Sequence, residues 1–271
     1  MIEEKKHIET KKKDKKDAPI IQITDLHKTF GKNNQILKGV NLTVNKEENL
    51  VILGRSGSGK SVTIKCIVGL IVPDKGEIKV FDEDVLNLNK SELNEVRIRI
   101  GFLFQSGALY DSMSVRENLA FTLRKHNRDL TSDEIENQVL EALENVGLAD
   151  AIDKMPSELS GGMKKRVGIA RAISMQPKYL FVDEPNSGLD PKTSIVIDAL
   201  IKELTDEFNT TTIVVTHDMN SVMGIGDNII FLHNGEKWWE GNNKEIAHTD
   251  NKELNEFVFA SKFMEAAREK L

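Results

Sequence analysis

Residues 54–61 read GRSGSGKS and follow directly on an apolar run, Leu50-Val51-Ile52-Leu53, that fits a strand buried on both faces. A phosphate is held well where several backbone N–H groups converge on it at short range. That requires glycines, which tolerate unusual φ/ψ and place no Cβ in the way. Gly54, Gly57 and Gly59 meet the need, and the candidate cradle spans Gly54, Arg55, Ser56, Gly57, Ser58, Gly59, Lys60, Ser61 and Val62. A helix opening at Lys60 adds the positive end of its dipole, the Lys60 ammonium adds a point charge for the β- and γ-phosphates, and the Ser61 hydroxyl suits Mg²⁺. The spacing fits GxxxxGK[ST], so a nucleoside triphosphate is the expected ligand. A merely flexible turn would need neither the lysine nor the hydroxyl.

A second run, Tyr179-Leu180-Phe181-Val182, delivers Asp183 and Glu184 to its carboxyl end. Adjacent carboxylates after a buried strand are costly unless a cation or a proton-transfer task waits there. Asp183 is suited to hold Mg²⁺ and Glu184 to accept a proton from an attacking water. The strand expected over Thr212–Thr216 delivers His217, either a hydrogen-bond donor to a γ-phosphate or an ordinary surface histidine. Ile100–Phe104 ends at Gln105, which either orients water or reaches the metal, or simply caps a strand. Residues 159–166, LSGGMKKR, present a further anion site: Ser160 as N-cap, with Gly161 and Gly162 opening an amide-rich helix start. Lys164, Lys165 and Arg166 read as a solvated face of that helix. One nucleotide does not need two such sites from one chain.

The elements that must position these groups follow from the periodicity. Ile20 to Val44 alternates in short strand-like pieces around the turn Gly31-Lys32-Asn33-Asn34, the pattern of an antiparallel flap, and Glu77–Val80 is a further strand. Phe30, just before that turn, either stacks on a nucleotide base or belongs to the core. From Ser112 to about Glu158 the period is helical: Thr131 with Glu134 forms a capping box, Ile135, Val139, Ala142 and Val146 follow, and Gly147 ends the run. Asp190 is the N-cap and Pro191 the first residue of a helix buried through Ile197, Ile201, Leu204 and Phe208. Ile229–Leu232 and Lys237–Trp239 make a hairpin around Asn234-Gly235, and an amphipathic helix carries Leu254, Phe257 and Val258. The expected fold class is α/β, a P-loop core of mainly parallel sheet with an antiparallel β flap and an inserted α-helical lobe.

With 271 residues, 39% hydrophobic and 30% charged, the chain fits one globular domain, alone or with a small appended lobe. The net charge of −6 argues against binding nucleic acid by bulk electrostatics. Cys66 is the single cysteine, so no internal disulfide forms and a reducing compartment is expected; its place in the helix after the glycine loop suits a small buried group. No apolar run approaches the ~20 residues of a spanning helix, so any membrane role is played from the surface. Residues 1–18 read as a solvated tail, or as a contact with anionic lipid through Lys11, Lys12, Lys13, Lys15 and Lys16.

Together these motifs resemble the nucleotide-binding subunit of ATP-binding cassette (ABC) transporters from about Ile20 to Gly241. Gly54 to Ser61 matches the Walker A loop, Gln105 the Q-loop, Leu159 to Met163 the signature, Tyr179 to Glu184 the Walker B strand with its glutamate, Ser187 to Asp190 the D-loop, and His217 the switch histidine. Phe30 falls at the family's base-stacking position. The resemblance implies ATP with Mg²⁺ as ligands, the metal falling to Ser61, Gln105 and Asp183. It also resolves the two anion sites: chains pair head to tail, and ATP on one Walker A loop is covered by Ser160, Gly161 and Gly162 of a second copy, with Asp190 of the D-loop counted among the nucleotide-binding residues.

The implied layout is a tail over 1–18, a nucleotide-binding domain over 19–241 with its helical lobe at about 112–175, and a helical extension over 242–271. GRSGSGKS, FQSGALYDSMSVRENLAF and LSGGMKKRVGIARAI are most similar to the ATPases of Mla-type, MCE-associated phospholipid transporters, in which Met commonly stands where Met163 does. Ser187, where Thr is more usual, and Tyr110, often Phe, depart mildly. That branch implies integral-membrane permease subunits, an MCE-domain lipid-binding protein, no nucleic acid, and a peripheral place on the cytoplasmic face of the inner membrane. Lipoprotein release, envelope remodelling and a soluble non-transport ATPase are the alternatives.

Overall fold

Leu50 and Ile52 face one way from their strand, Val51 and Leu53 the other, and all four are buried, in two different cores. The computed structural model describes residues 19–260; the amino-terminal tail and the end of the carboxyl-terminal extension expected from the sequence lie outside the described residues. In chain order the flap strands are β1 (Pro19–Phe30), β2 (Asn34–Asn45), β4 (Lys75–Val80) and β5 (Glu83–Asp84). The main sheet is built from β3 (Leu50–Leu53), β6 (Ile100–Leu103), β7 (Tyr179–Asp183), β8 (Thr211–Thr216), β9 (Asn228–His233) and β10 (Glu236–Gly241). Its order is β10-β9-β3-β8-β7-β6, parallel throughout except at β10, and the flap sheet is antiparallel in the order β2-β1-β4-β5.

The short pieces expected over 20–44 are instead two strands of 12 residues each. Their pairing shifts register several times, for example between Ile23 and Leu26, where Asp25 sits at φ 50. A bulge resets the inward-outward alternation, so one continuous strand reads in sequence as fragments. The predicted hairpin turn is present, with Asn234 and Gly235 at φ 52 and 85 between β9 and β10. There the two sheets meet: the Lys38 N–H donates to the Gly235 carbonyl at 2.8 Å.

The helices are α1 (Lys60–Ile67), α2 (Lys90–Ile98), α3 (Val115–His126), α4 (Ser132–Glu144), α5 (Gly161–Ile173), α6 (Pro191–Glu207), α7 (Met219–Ile225) and α8 (Lys252–Val258). Capping boxes at Ser114/Glu117 and Thr131/Glu134 start α3 and α4. After α4 the Leu148 N–H bonds the Leu143 carbonyl and the Gly147 N–H that of Glu144, the paired bonds of a Schellman end. One core joins Val51, Leu53, Val182 and Val214 to α3–α5, α6 and the buried Leu254 and Val258 of α8. The other joins Leu50, Ile52, Phe181 and Val215 to α1, α2 and the flap. Among the described residues no helix is long and apolar enough to cross a membrane.

Gly101 of β6 lets α5 approach the sheet, since a Cβ there would lie 2.4 Å from the Ala172 carbonyl oxygen. Overpacking against backbone cannot be relieved by a rotamer change, so Gly101→Ala is expected to destabilise the fold by about 1–3 kcal/mol, read as a lower denaturant midpoint at constant slope. An unchanged midpoint would show that α5 can slide off β6 at no cost.

Candidate functional site

Four neighbouring strands of the parallel sheet deliver the candidate residues. In register, Leu53 pairs with Thr216, Val215 with Asp183 and Val182 with Leu103, so β3, β8, β7 and β6 end at one level. The chain leaves those ends into Gly54, His217, Glu184 and, one residue beyond Phe104, Gln105. Carboxyl ends of a parallel sheet are where open α/β folds place their ligands.

In the glycine loop, Gly59 takes φ 106 and a Cβ on it would meet Leu37 Cδ2 at 2.6 Å, while a Cβ on Gly54 would meet the Leu232 carbonyl oxygen at 2.3 Å. Neither position accepts another residue without displacing the loop. Lys60 is only 4% exposed; its ammonium donates to the carbonyls of Gly54 at 2.8 Å and Arg55 at 3.2 Å and pairs with Glu184 Oε1 at 3.0 Å. Ser58 Oγ is buried and has no hydrogen-bond partner among the described residues, an orphan donor in a loop whose remaining groups suit an anion.

The Ser61 hydroxyl donates to Asp183 Oδ1 at 2.6 Å, and Lys65 Nζ lies 3.6 Å from Asp183 Oδ2. One hydroxyl and one carboxylate are hard oxygen donors that fit Mg²⁺, which draws most of its coordination from phosphate and water. Among the described residues no three His, Cys, Asp or Glu side chains cluster as a metal cage. Glu184 Oε2 lies 2.7 Å from His217 Nδ1, so Lys60, Glu184 and His217 form one chain of contacts. The Gln105 amide donates to Ser187 Oγ at 3.1 Å, tying it to the loop after Glu184, and nothing places it on Ser61 or Asp183.

The remaining candidates stand elsewhere. Ser160 caps α5 through its hydroxyl at 3.3 Å from the Met163 N–H. Ser160, Gly161 and Gly162 line an open cavity of about 450 Å³ together with Leu189, Asp190 and Thr193. Among the described residues no hydrogen bond or ion pair joins this face to the glycine loop. The Asp190 carboxylate accepts from the N–H groups of Lys192 and Thr193 at 3.1 and 3.0 Å, as the predicted N-cap of α6, and the Thr193 hydroxyl, which also donates to it, together with those bonds holds it below the usual carboxylate range. Phe30 is 41% exposed, which excludes the core reading, and Lys28 Nζ lies over its ring 5.5 Å from the centre. Cys66 is fully buried and burial pushes its thiol up to about 12, the inert packing role expected of it.

Two groups were not legible as functional. Lys165 is not part of a solvated face: it is 5% exposed and donates to the carbonyls of Gln105 and, at 3.2 Å, Glu184. Arg166 likewise donates to the Val146 carbonyl at 3.1 Å. In an isolated KKR triplet nothing marks which residue points inward; only the placement of Lys165 three and four residues before Gly168 and Ile169 hints at it. The second group is Asp198, buried on α6, which accepts from Asn186 Nδ2 at 2.9 Å and Ser221 Oγ at 3.0 Å. It links the loop after Glu184 to the helix after His217. Burial is the largest influence on it and pushes its carboxyl up to about 6 against those hydrogen bonds.

Residues 37–187 match the family model described as ABC transporter. The chain is 37% identical over 238 residues to the probable ribonucleotide transport ATP-binding protein mkl of Mycobacterium tuberculosis, covering 88% of this chain and 66% of that protein. It thus spans about two thirds of the mycobacterial relative's length. It is 39% identical over 240 residues to the intermembrane phospholipid transport system ATP-binding protein MlaF of Haemophilus influenzae, covering 88% of this chain and 90% of that one. Among solved structures, a dimeric ATP-binding cassette in a post-hydrolysis state bound to ADP and Pi superposes with TM-score 0.76 at 33% identity, over 82% of this chain and 98% of that chain.

Asp198 yields a pH test. A carboxyl raised from 3.8 to about 6 in the fold contributes stability that is fully present below the unfolded value and lost as pH rises through about 6. Asp198→Asn, which cannot ionise, is expected to gain on the parent by about 3 kcal/mol in unfolding free energy between about pH 4 and pH 7. A parent-minus-variant difference that is flat across that interval would show that Asp198 is ordinarily acidic.

Proposed function

The chain belongs to the ABC transporter family, and we propose that it is the ATP-hydrolysing subunit of a membrane transporter, working as a head-to-tail pair on separate permease subunits. The observation that carries this is the contact chain Lys60–Glu184–His217 beside the Ser61–Asp183 pair, gathered where the start of α1 meets the ends of β7 and β8. A triphosphate in the glycine loop takes the amides of residues 57–62, and its oxygens compete with Glu184 for the Lys60 ammonium. Glu184, so released on one side and oriented by His217 on the other, accepts a proton from a water in line with the γ-phosphorus. The water oxygen bonds to phosphorus as the bridging bond to the β-phosphate breaks, leaving ADP and phosphate. Mg²⁺, when bound, neutralises charge shared between the phosphates, and Ser61 and Asp183 are the residues that would hold it.

The face lined by Ser160, Gly161, Gly162 and Leu189 supplies the second half of the site to a partner's nucleotide. Support comes from the lack, among the described residues, of any hydrogen bond or ion pair between it and the glycine loop, and from the dimeric cassette with ADP and Pi. Phospholipid is the cargo we favour, with MCE-domain and permease partners at the cytoplasmic face of the inner membrane. That reading rests on the H. influenzae relative, matched over nearly its whole length, and on the Mla-like segments around Gln105 and Met163; the mycobacterial relative's name carries a ribonucleotide instead.

Glu184→Gln is expected to lower ATP turnover by about 10²-fold or more while nucleotide affinity is kept and the closed pair accumulates. Steady-state turnover and size in solution with ATP read both; undiminished turnover would remove the base from Glu184. Capturing the same variant from detergent-solubilised membranes and identifying its companions tests the cargo. An MCE-domain protein with bound phospholipid is the expected result, and a permease without either would reassign the cargo.

A further inference from the structure

Lys165 is the buried cation that the reading above leaves without a task. Its side chain leaves α5, in the helical lobe, and its ammonium ends between two backbone carbonyls, those of Gln105 and Glu184. These are the last residues delivered by β6 and β7, and no carboxylate lies within ion-pair distance of the ammonium among the described residues. A lysine nineteen parts in twenty buried on carbonyls alone is an expensive arrangement, and desolvation holds its ammonium below the ordinary lysine value despite the nearby charges of Asp183 and Glu184.

The residue it grips is itself strained. Glu184 stands at φ 48, the left-handed region, which a non-glycine residue adopts only where its surroundings impose it. Its N–H is fixed to the Val215 carbonyl at 2.9 Å, and its carbonyl accepts from the Ser187 N–H at 3.2 Å as well as from Lys165. Rotation of that peptide would swing the side chain away from both Lys60 and His217. The other carbonyl belongs to a segment that α5 holds again one turn and a half later, where Arg171 donates to Gly107 and Ala108 at 2.9 and 2.8 Å. The segment from Gln105 to Ala108 therefore moves with the helical lobe, and Lys165 is the point at which the lobe also reaches the Glu184 backbone.

We propose that Lys165 is a positioning residue which, from the helical lobe, fixes the backbone of Gln105 and Glu184 together and so makes the alignment of the Glu184 carboxylate depend on where the lobe sits. This rests on the reading of Glu184 as the base. Lys165 touches neither nucleotide nor water; it acts through the peptide that carries the carboxylate. The consequence is that a lobe displaced from the sheet carries a misaligned base even when ATP is bound.

The test is ATP turnover of the full chain assembled in its transporter. Lys165→Met keeps the apolar stem and removes the charge-assisted donor; kcat is expected to fall about 10- to 100-fold with KM for ATP changed less than about threefold, and Lys165→Arg to recover most of the loss. A kcat within about twofold of the parent, or equal losses in kcat and KM that arginine does not rescue, overturns the proposal. Should Lys165→Met fail to fold, Lys165→Gln with hydrogen exchange replaces it: faster exchange confined to the Gly107 and Ser187 amides supports the strut, and unchanged protection there overturns it. Glu184→Gln in the same assay separates the two ideas. If that variant turns over ATP normally, the base is misassigned; if it is inactive while Lys165→Met is not, only the strut is lost.

Discussion

Everything in this molecule depends on β3, β8, β7 and β6 ending together. Parallel strands in register present their carboxyl ends as one edge, and here the edge sets a phosphate loop, a histidine, two carboxylates and a glutamine side by side. The strands hold that register because both faces of the sheet are buried, against the flap and α1 on one side and the helical lobe with α6 and α8 on the other. A slip of one residue would send Leu50 and Ile52 into the wrong core and every site residue to the wrong face. Packing far from the chemistry thereby fixes the chemistry.

The charges gathered on that edge are tolerated because almost none is left alone. Lys60 balances Glu184, Ser61 and Lys65 satisfy Asp183, and His217 closes the row. Asp198 is held by amide and hydroxyl donors without a countercharge, and Lys165 by carbonyls, and both show shifted titration in the direction burial dictates. Both join separate elements: Asp198 the loop after β7 to the helix after β8, and Lys165 the lobe to the strand ends. Buried polar groups of this kind contribute uniqueness of geometry where an apolar contact would give only adhesion.

Legibility in the sequence followed the locality of the physics. The glycine loop, the strand ending in Asp183-Glu184, the Thr131 and Asp190 caps and the Asn234-Gly235 turn each declare themselves within a few residues, and the structure places them as expected. The bulged strands β1 and β2 were harder, because each bulge breaks the alternation from which a strand is read. The contacts of Lys165 and Asp198 could not be read, since their partners lie 60 residues before and 19 after for one, and 12 before and 23 after for the other. Their significance is a property of tertiary contact, to which local spacing is blind. Phe30 sits between these cases: its type suggested a role, and only its exposure separated a surface ring from a core ring.

The seam between the two sheets has a less obvious meaning. Phe30 ends β1, β1 is carried by β2, and β2 is pinned to the main sheet where the Lys38 amide meets Gly235. The hairpin tip bearing Gly235 carries none of the candidate site residues, yet it meets the strand pair whose far end bears the Phe30 ring. Drift at so remote and chemically silent a corner could therefore reset the flap against the main sheet, leaving the phosphate-handling apparatus as it was.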